Sequence, residues 1–277
     1  MKTLFLLLAA ATPVLAEDVI APPRDEAYQL VWSDEFDGDG PVDESKWRFE
    51  QGFERNGELQ WYQKDNAVRK DGLLVIEARR EKIPNPRFQE GTRDWKRNRK
   101  EANYSSASLT TAGKHDWTFG RFEIRAKFDI QAGLWPAIWT TGRGRWPHGG
   151  EIDILEYYSG RIYANFCWAG PGGRDVWNTG SHSIGRFDPR GWKDRFHVWV
   201  MEWDEESIRI WMDGILLNTQ PMKDVKNLNG EPVNPFLAPQ AMRLNLAIGG
   251  RQGGDPSRTT FPQRYEVDYV RIYQKKP

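Results

Sequence analysis

Five segments of this chain alternate polar and apolar side chains with a period of two: Leu73–Arg79, Gly120–Phe128, His197–Trp203, Ser207–Met212 and Tyr265–Tyr273. A strand with one buried face reads this way, because successive side chains point to opposite sides of a sheet. No segment offers an amphipathic helix of more than about three turns, so the apolar faces must bury against one another. The predicted fold is an antiparallel all-β sandwich. Asp213-Gly214, between one such run and Ile215-Leu216-Leu217, predicts a tight two-residue hairpin turn. Residues 82–100, basic and without periodicity, are expected to form a surface loop with a solvated face.

The chain has 277 residues, enough for one large sandwich domain. Residues 1–16 read as a secretory leader: Lys2, an apolar run too short to span a bilayer, and the small-residue ending Val14-Leu15-Ala16. Cleavage after Ala16 and a secreted or periplasmic location are expected, with residues 17–277 forming a single β-sandwich domain. Lys and Arg balance Asp and Glu at 39 each, which argues against a nucleic-acid partner. No membrane span is expected, and the chain is expected to be a monomer. One Cys, Cys167, excludes an intrachain disulfide and a cysteine zinc site; it reads as a small apolar packing residue, with a groove-facing thiol as the alternative. His115, His148, His182 and His197 lack metal-ligand spacing; His148 and His182 are candidates for substrate contact. The 14 Trp exceed what the core readily absorbs with every indole N–H satisfied, so some should line a groove. With no basic excess, sugars are a better occupant than nucleobases.

Chemistry concentrates at Glu151-Ile-Asp153-Ile-Leu-Glu156, three acids in an otherwise apolar strand. Glu151 and Asp153 share a face, whereas Glu156, at an odd offset, would point into the core. A β-bulge near Ile154-Leu155 adds one residue and returns Glu156 to the acidic face. Five extended residues span about 16 Å, so bulge, curvature and leaning side chains must close the gap to the ~5–5.5 Å of retaining glycosidases or ~6.5–9.5 Å of inverting ones. Mutual repulsion would keep one carboxyl protonated, as glycosidic proton donation requires. The alternative is a solvent-facing acidic strand, against which stand the neighbouring Trp135, Trp139 and Trp146 and the tight approach of Gly149-Gly150.

These residues resemble glycoside hydrolase family 16. The motifs in order are Trp32-Ser-Asp-Glu35-Phe-Asp-Gly38, Arg55-Asn56-Gly-Glu58-Leu-Gln60-Trp-Tyr62, Tyr104-Ser-Ser106, Gly120–Lys127, Leu134–Trp139, the acidic strand, and Phe261-Pro-Gln through Arg271. The resemblance implies a concanavalin-like jelly-roll sandwich of two antiparallel sheets with a substrate cleft on its concave face. It implies a retaining, endo-acting β-glycanase with Glu151 as nucleophile, Glu156 as acid/base and Asp153 tuning the pair. Trp135, Trp139 and Trp146 match subsite positions, and Asn56, Glu58 and Arg121 match polar cleft residues, with a scaffold role left open for Trp139 and Arg121. Glu35 and Asp268 match a structural calcium position of some relatives; no other cofactor is implied. Tyr158, Asn165 and Trp168, with the Tyr157-Tyr158 pair and the Gly249–Ser257 stretch, look more like endo-β-galactosidases acting on poly-N-acetyllactosamine in keratan and mucin O-glycans than like laminarinases. An endo-1,3(4)-β-glucanase is the alternative, and a non-catalytic carbohydrate-binding module on the same sandwich is the rival from another class. Transglycosylation is a further outcome of the same covalent chemistry.

Overall fold

A computed structural model describes residues 21–22, 24–228 and 232–276. The leader expected at residues 1–16 lies outside them. Two antiparallel sheets face each other. One has eight strands, among them Gly120–Phe128, His197–Trp203, Ser207–Met212 and Gln263–Lys275. The other has seven and carries the functional site. Five of its strands are named here: β1 (Leu134–Gly142), β2 (Glu151–Tyr158), β3 (Arg161–Ala169), β4 (Asp175–Ser183) and β5 (Gln240–Ile248). Across the sheet they run β4-β3-β2-β1-β5, followed by Ser108–Thr110 and Arg48–Phe49. No helix among the described residues is long and apolar enough to cross a membrane.

The alternation works as the period of two requires. Along Gly120–Phe128, Phe122, Ile124, Ala126 and Phe128 enter the core, while Arg125 and Lys127 face out and pair with Asp268 and Glu266 at 2.6 Å. Each buried large side chain contributes about 1.5–3 kcal/mol, whereas exposed ion pairs contribute about 0–1 kcal/mol; the apolar face therefore decides the fold. Phe128 sits among Tyr157, Trp192, Trp199 and Tyr265, with ring centroids 5.8–6.2 Å away. Met212 pairs with Ile215 across the predicted two-residue turn, where Asp213 (φ 49°) and Gly214 (φ 75°) both take the left-handed backbone such a turn needs.

Residues 82–100 are more than a solvated loop. Ile83–Pro84 pairs with Glu101–Ala102, Asn85 donates through Nδ2 to the Lys96 and Arg99 carbonyls, and Trp95 packs with Phe53 and Trp61 in a small second core. Arg99 reaches from this unit to the Glu58 carbonyl at 2.9 Å, bracing one cleft wall from behind. Periodicity could not reveal it, because isolated aromatic residues separated by polar runs hold it together.

Candidate active site

The outer face of the seven-stranded sheet holds a cleft of about 760 Å³. Its floor is built by β2. Opposite β1, Ile138 pairs with Leu155 and Trp139 with Asp153, so Ile154 is skipped; opposite β3, Asp153 pairs with Asn165 and Glu156 with Tyr163, so β2 again carries one extra residue. This is the predicted bulge. Ile152, Ile154, Leu155 and Tyr157 enter the core. Glu151, Asp153, Glu156 and Tyr158 are thereby left lining the cleft.

Two indoles orient the outer acids. Trp146 donates its Nε1–H to Glu151 Oε2, and Trp135 donates to Glu156 Oε1, both at 2.8 Å. Asn165 Nδ2 donates to Asp153 Oδ2 at 3.1 Å and to Glu156 Oε2 at 3.0 Å. Burial, reinforced by the charges of Glu156 and Glu151, holds the Asp153 carboxyl well above the ordinary range. Burial and the charge of Glu151 push Glu156 up to about 7, against the bonds it accepts from Trp135, Asp153 and Asn165. Glu151 is also raised by burial, but the Trp146 and Asp153 hydrogen bonds and the charges of Arg55 and Arg243 pull it back. The arrangement therefore separates two glutamates by environment: the cations Arg55 and Arg243 act on Glu151, whereas the charge of Glu151 favours the acid form of Glu156.

This carries a stability consequence. A carboxyl whose pKa is raised on folding stabilises the fold below its unfolded pKa of about 4, and that contribution is lost as pH rises through the folded value. Asp153→Asn cannot titrate and keeps a donor and an acceptor in place. The variant is expected to melt about 2–4 °C above the parent at pH 7.5, the displacement of roughly 1 kcal/mol in a domain of this size, with the gap closing towards pH 4. Calorimetry across that range checks it; a variant equally or less stable at pH 7.5 contradicts the assignment.

Several residues nominated from sequence take their places on the cleft: Asn56, Glu58, Trp135, Trp139, Trp146, Tyr158 and Asn165 all line it. Glu58 is buried and accepts from Gln60 Nε2 at 2.7 Å. Trp139 gives its N–H to Asn245 Oδ1 at 2.7 Å, and its ring is flanked by the Arg55 and Arg243 guanidiniums. Tyr158 stacks on Tyr163 at 4.1 Å.

Four nominations do not lie on the cleft. Arg121 belongs to the opposite sheet, where it is 1 % exposed and bound to Glu123, Glu202 and the Pro22 carbonyl; strand Gly120–Phe128 resembles the family as scaffold. Trp168 is on β3 with the parity of Phe166 and packs on the core. His182 is engaged away from the cleft, by the Leu217 carbonyl at 2.8 Å and by Arg186 at 2.9 Å. His148 is not among the lining residues, and its carbonyl accepts from Asn227. The calcium position does not fit either. Glu35 is forked onto Arg271 and Asp268 is bonded by Arg125, and among the described residues no group of three or more His, Cys, Asp or Glu side chains is placed to hold an ion.

Arg55, Thr141, Asp175, Trp177, Arg243, Asn245 and Arg251 line the cleft without having been nominated. Arg243 and Asn245 had a readable signal: polar residues two apart in β5, between core-facing Met242, Leu244 and Leu246. Trp177 on β4 faces Trp146 with centroids 6.4 Å apart, and these are half-exposed, whereas Trp47, Trp192, Trp199 and Trp203 are fully buried.

A β-sandwich whose cleft floor offers two glutamates in unlike environments from one strand, walled by indoles, defines a glycoside hydrolase. Residues 54–271 match the family described as Glycosyl hydrolases family 16, and the chain belongs to it. It is an endo-acting glycoside hydrolase. The Beta-glucanase of Rhodothermus marinus is 36% identical over 265 residues, covering 89% of this chain and 85% of that protein. The Keratan-sulfate endo-1,4-beta-galactosidase of Sphingobacterium multivorum is 27% identical over 263 residues; the alignment covers 89% of this chain but only 55% of that relative. A structure solved in work on how "prominent members of the human gut microbiota express endo-acting O-glycanases to initiate mucin breakdown" superposes with a TM-score of 0.82 at 36% identity, over 92% of this chain and 94% of that one.

Proposed function

We propose that this enzyme is an exported, retaining endo-β-galactosidase that cuts internal β-galactosyl linkages in poly-N-acetyllactosamine-type glycans, as found in mucin O-glycans and keratan. The observation that carries the substrate is the near-complete overlap with the O-glycanase structure, at a TM-score of 0.82. The keratan-cleaving relative is consistent with it. An endo-1,3(4)-β-glucanase is the second reading, favoured by the 36% identity to a β-glucanase.

Glu151 attacks the anomeric carbon while Glu156 gives its proton to the departing glycosidic oxygen, and Glu156 then takes a proton from the water that releases the sugar. Asp153 stands between the two glutamates on β2, and Asn165 ties it to Glu156. Retention, with the two acids about 5–5.5 Å apart, is the route that the resemblance to the family implies, rather than inversion with water seated between them at about 6.5–9.5 Å. Trp146 and Trp177 supply stacking surface for sugar rings.

Digestion of gastric mucin, keratan, neutral poly-N-acetyllactosamine, laminarin, barley β-glucan and agarose, with mass analysis of released oligosaccharides, tests the substrate. Release from the first three with little from laminarin is expected; laminarin alone being cut establishes the glucanase reading instead. Proton NMR of the first product formed should show the β anomer.

A further inference from the structure

Two guanidiniums on the cleft wall share one carboxylate. Arg55 donates through Nη2 to Glu50 Oε2, Arg243 through Nε to Glu50 Oε1 at 3.5 Å, and Ser108 Oγ completes the site at 2.6 Å. Both guanidiniums lie against Trp139, 5.1 and 4.8 Å from its ring centroid. Arg243 Nη1 also donates to Thr141 Oγ1, and Thr141 is the residue paired with Glu151 across the β1–β2 ladder. Arg55 Nη1 is buried with no acceptor among the described residues. Although burial opposes it, the charges of Arg55 and Arg243 hold Glu50 ionised, so two cations face one anion and the cluster keeps a surplus positive charge.

A partly buried cation is costly without a counter-charge, and the cleft that Arg55 and Arg243 line is where one is supplied. The further titratable or charged groups around the cluster and Glu151 are Asp153, Glu156 and Tyr158 on β2, Cys167 opposite on β3, Asp175 on β4, Arg251 on the cleft wall, and Glu54 and Glu58 beside Arg55. Burial raises Asp153, Glu156, Glu58, the Cys167 thiol and Glu151 alike, Glu54 is paired with Lys96, and Asp175 accepts from the Trp177 indole at 2.7 Å. Of the three acids on β2, Glu151 is the one on which both Arg55 and Arg243 act, and Thr141, which Arg243 holds, faces it across the ladder.

We propose that the Arg55–Glu50–Arg243 cluster sets the lifetime of the glycosyl-enzyme, acting through Glu151. This rests on the retaining reading above. In the first step a lone pair of Glu151 bonds to the anomeric carbon, the bond to the leaving oxygen breaks, and that oxygen takes the Glu156 proton. Glu151 is now a neutral ester and the negative charge has passed to Glu156, opposite Ala137 and away from the Thr141 position that Arg243 holds, so the cluster has lost its nearest counter-anion. In the second step water bonds to the same carbon, its proton goes to Glu156, and the electron pair of the breaking ester bond returns to Glu151, restoring the pairing. The two cations thus stabilise the carboxylate that departs in the second step, and keep the covalent intermediate scarce. Arg55 and Arg243 are positioning residues in this scheme.

The test compares the full chain with Arg243→Met, Arg243→Lys and Glu50→Gln on saturating oligosaccharide from whichever panel glycan is cut fastest. Acid-quenched samples are read by intact-protein mass. The parent should carry little glycosyl adduct. Arg243→Met should be mostly adduct, with kcat and KM both falling about tenfold, the scale of a single lost charge interaction, and with the acidic limb of kcat/KM moving to higher pH. Arg243→Lys should restore the parental pattern, and Glu50→Gln, which adds positive charge, should move the acidic limb the other way without adduct. Parallel losses of kcat and kcat/KM with no adduct in Arg243→Met overturn the proposal, as does an unmoved acidic limb in both Arg243→Met and Glu50→Gln. A first product of inverted anomer would instead remove the retaining reading itself.

Discussion

Glu151→Ala is expected to leave a folded, glycan-binding protein whose turnover is lower by roughly 10⁴–10⁶-fold, the scale on which loss of a covalent nucleophile is felt. The loss should fall on kcat, with the dissociation constant for an intact oligosaccharide changed little, because the indoles that line the cleft remain. The truncation also opens space beside the Trp146 N–H, where the Glu151 carboxylate now sits. Added azide should enter that space, attack the anomeric carbon from the side Glu151 used, and give a glycosyl azide of α configuration. Product NMR and the azide dependence of the rate check this. Residual activity above about one per cent of the parent, with no azide adduct, would remove Glu151 from the nucleophile's role.

Glu156→Gln should behave differently, because it removes a proton rather than a bond-forming atom. Cleavage of natural glycans is expected to fall by about 10²–10⁴-fold, the usual worth of a positioned general acid. A dinitrophenyl glycoside, whose leaving group needs no proton, should form the glycosyl-enzyme almost normally. The parent's activity should decline as pH climbs through about 7, where Glu156 gives up the proton that catalysis needs. That decline should be missing when glycosyl-enzyme formation from the dinitrophenyl substrate is followed in the variant. A basic limb unchanged in the variant would mean that another group donates the proton. Azide should again rescue, this time by attacking the accumulated intermediate, so the product anomer is β; the opposite anomers from the two variants tell the two glutamates apart.

Much of this arrangement was legible from spacing alone. Alternation placed Gly120–Phe128, His197–Trp203 and Ser207–Met212 as strands with the observed bounds. The odd offset of Glu156 demanded the bulge now seen between Asp153 and Glu156. Side chains at fixed offsets along one strand are local facts, and local facts survive in a sequence. What failed was non-local. Arg121 alternates correctly, yet nothing within its own strand says which sheet that strand joins, and it lies across the core from the acids. His182 looked free because its partners, Leu217 and Arg186, come from a neighbouring strand and a following turn. Trp168 stands next to cleft-facing positions in sequence, and only the strand's parity sends it inward. The Arg55–Glu50–Arg243 cluster joins residues almost two hundred positions apart, at separations of |i−j| 5 and 193.

The extra residue in β2 reaches beyond catalysis. Both flanking strands run past it without a compensating insertion, and Tyr157 anchors the segment after it by donating its hydroxyl to the Ile130 carbonyl at 2.6 Å. A chain that slipped by one position there could remake nearly every ladder bond and show an ordinary circular dichroism spectrum, yet it would bury its proton donor and turn Tyr157 out to solvent. Specific activity, measured against total soluble protein, is therefore a proofreading assay for how faithfully this strand has zipped.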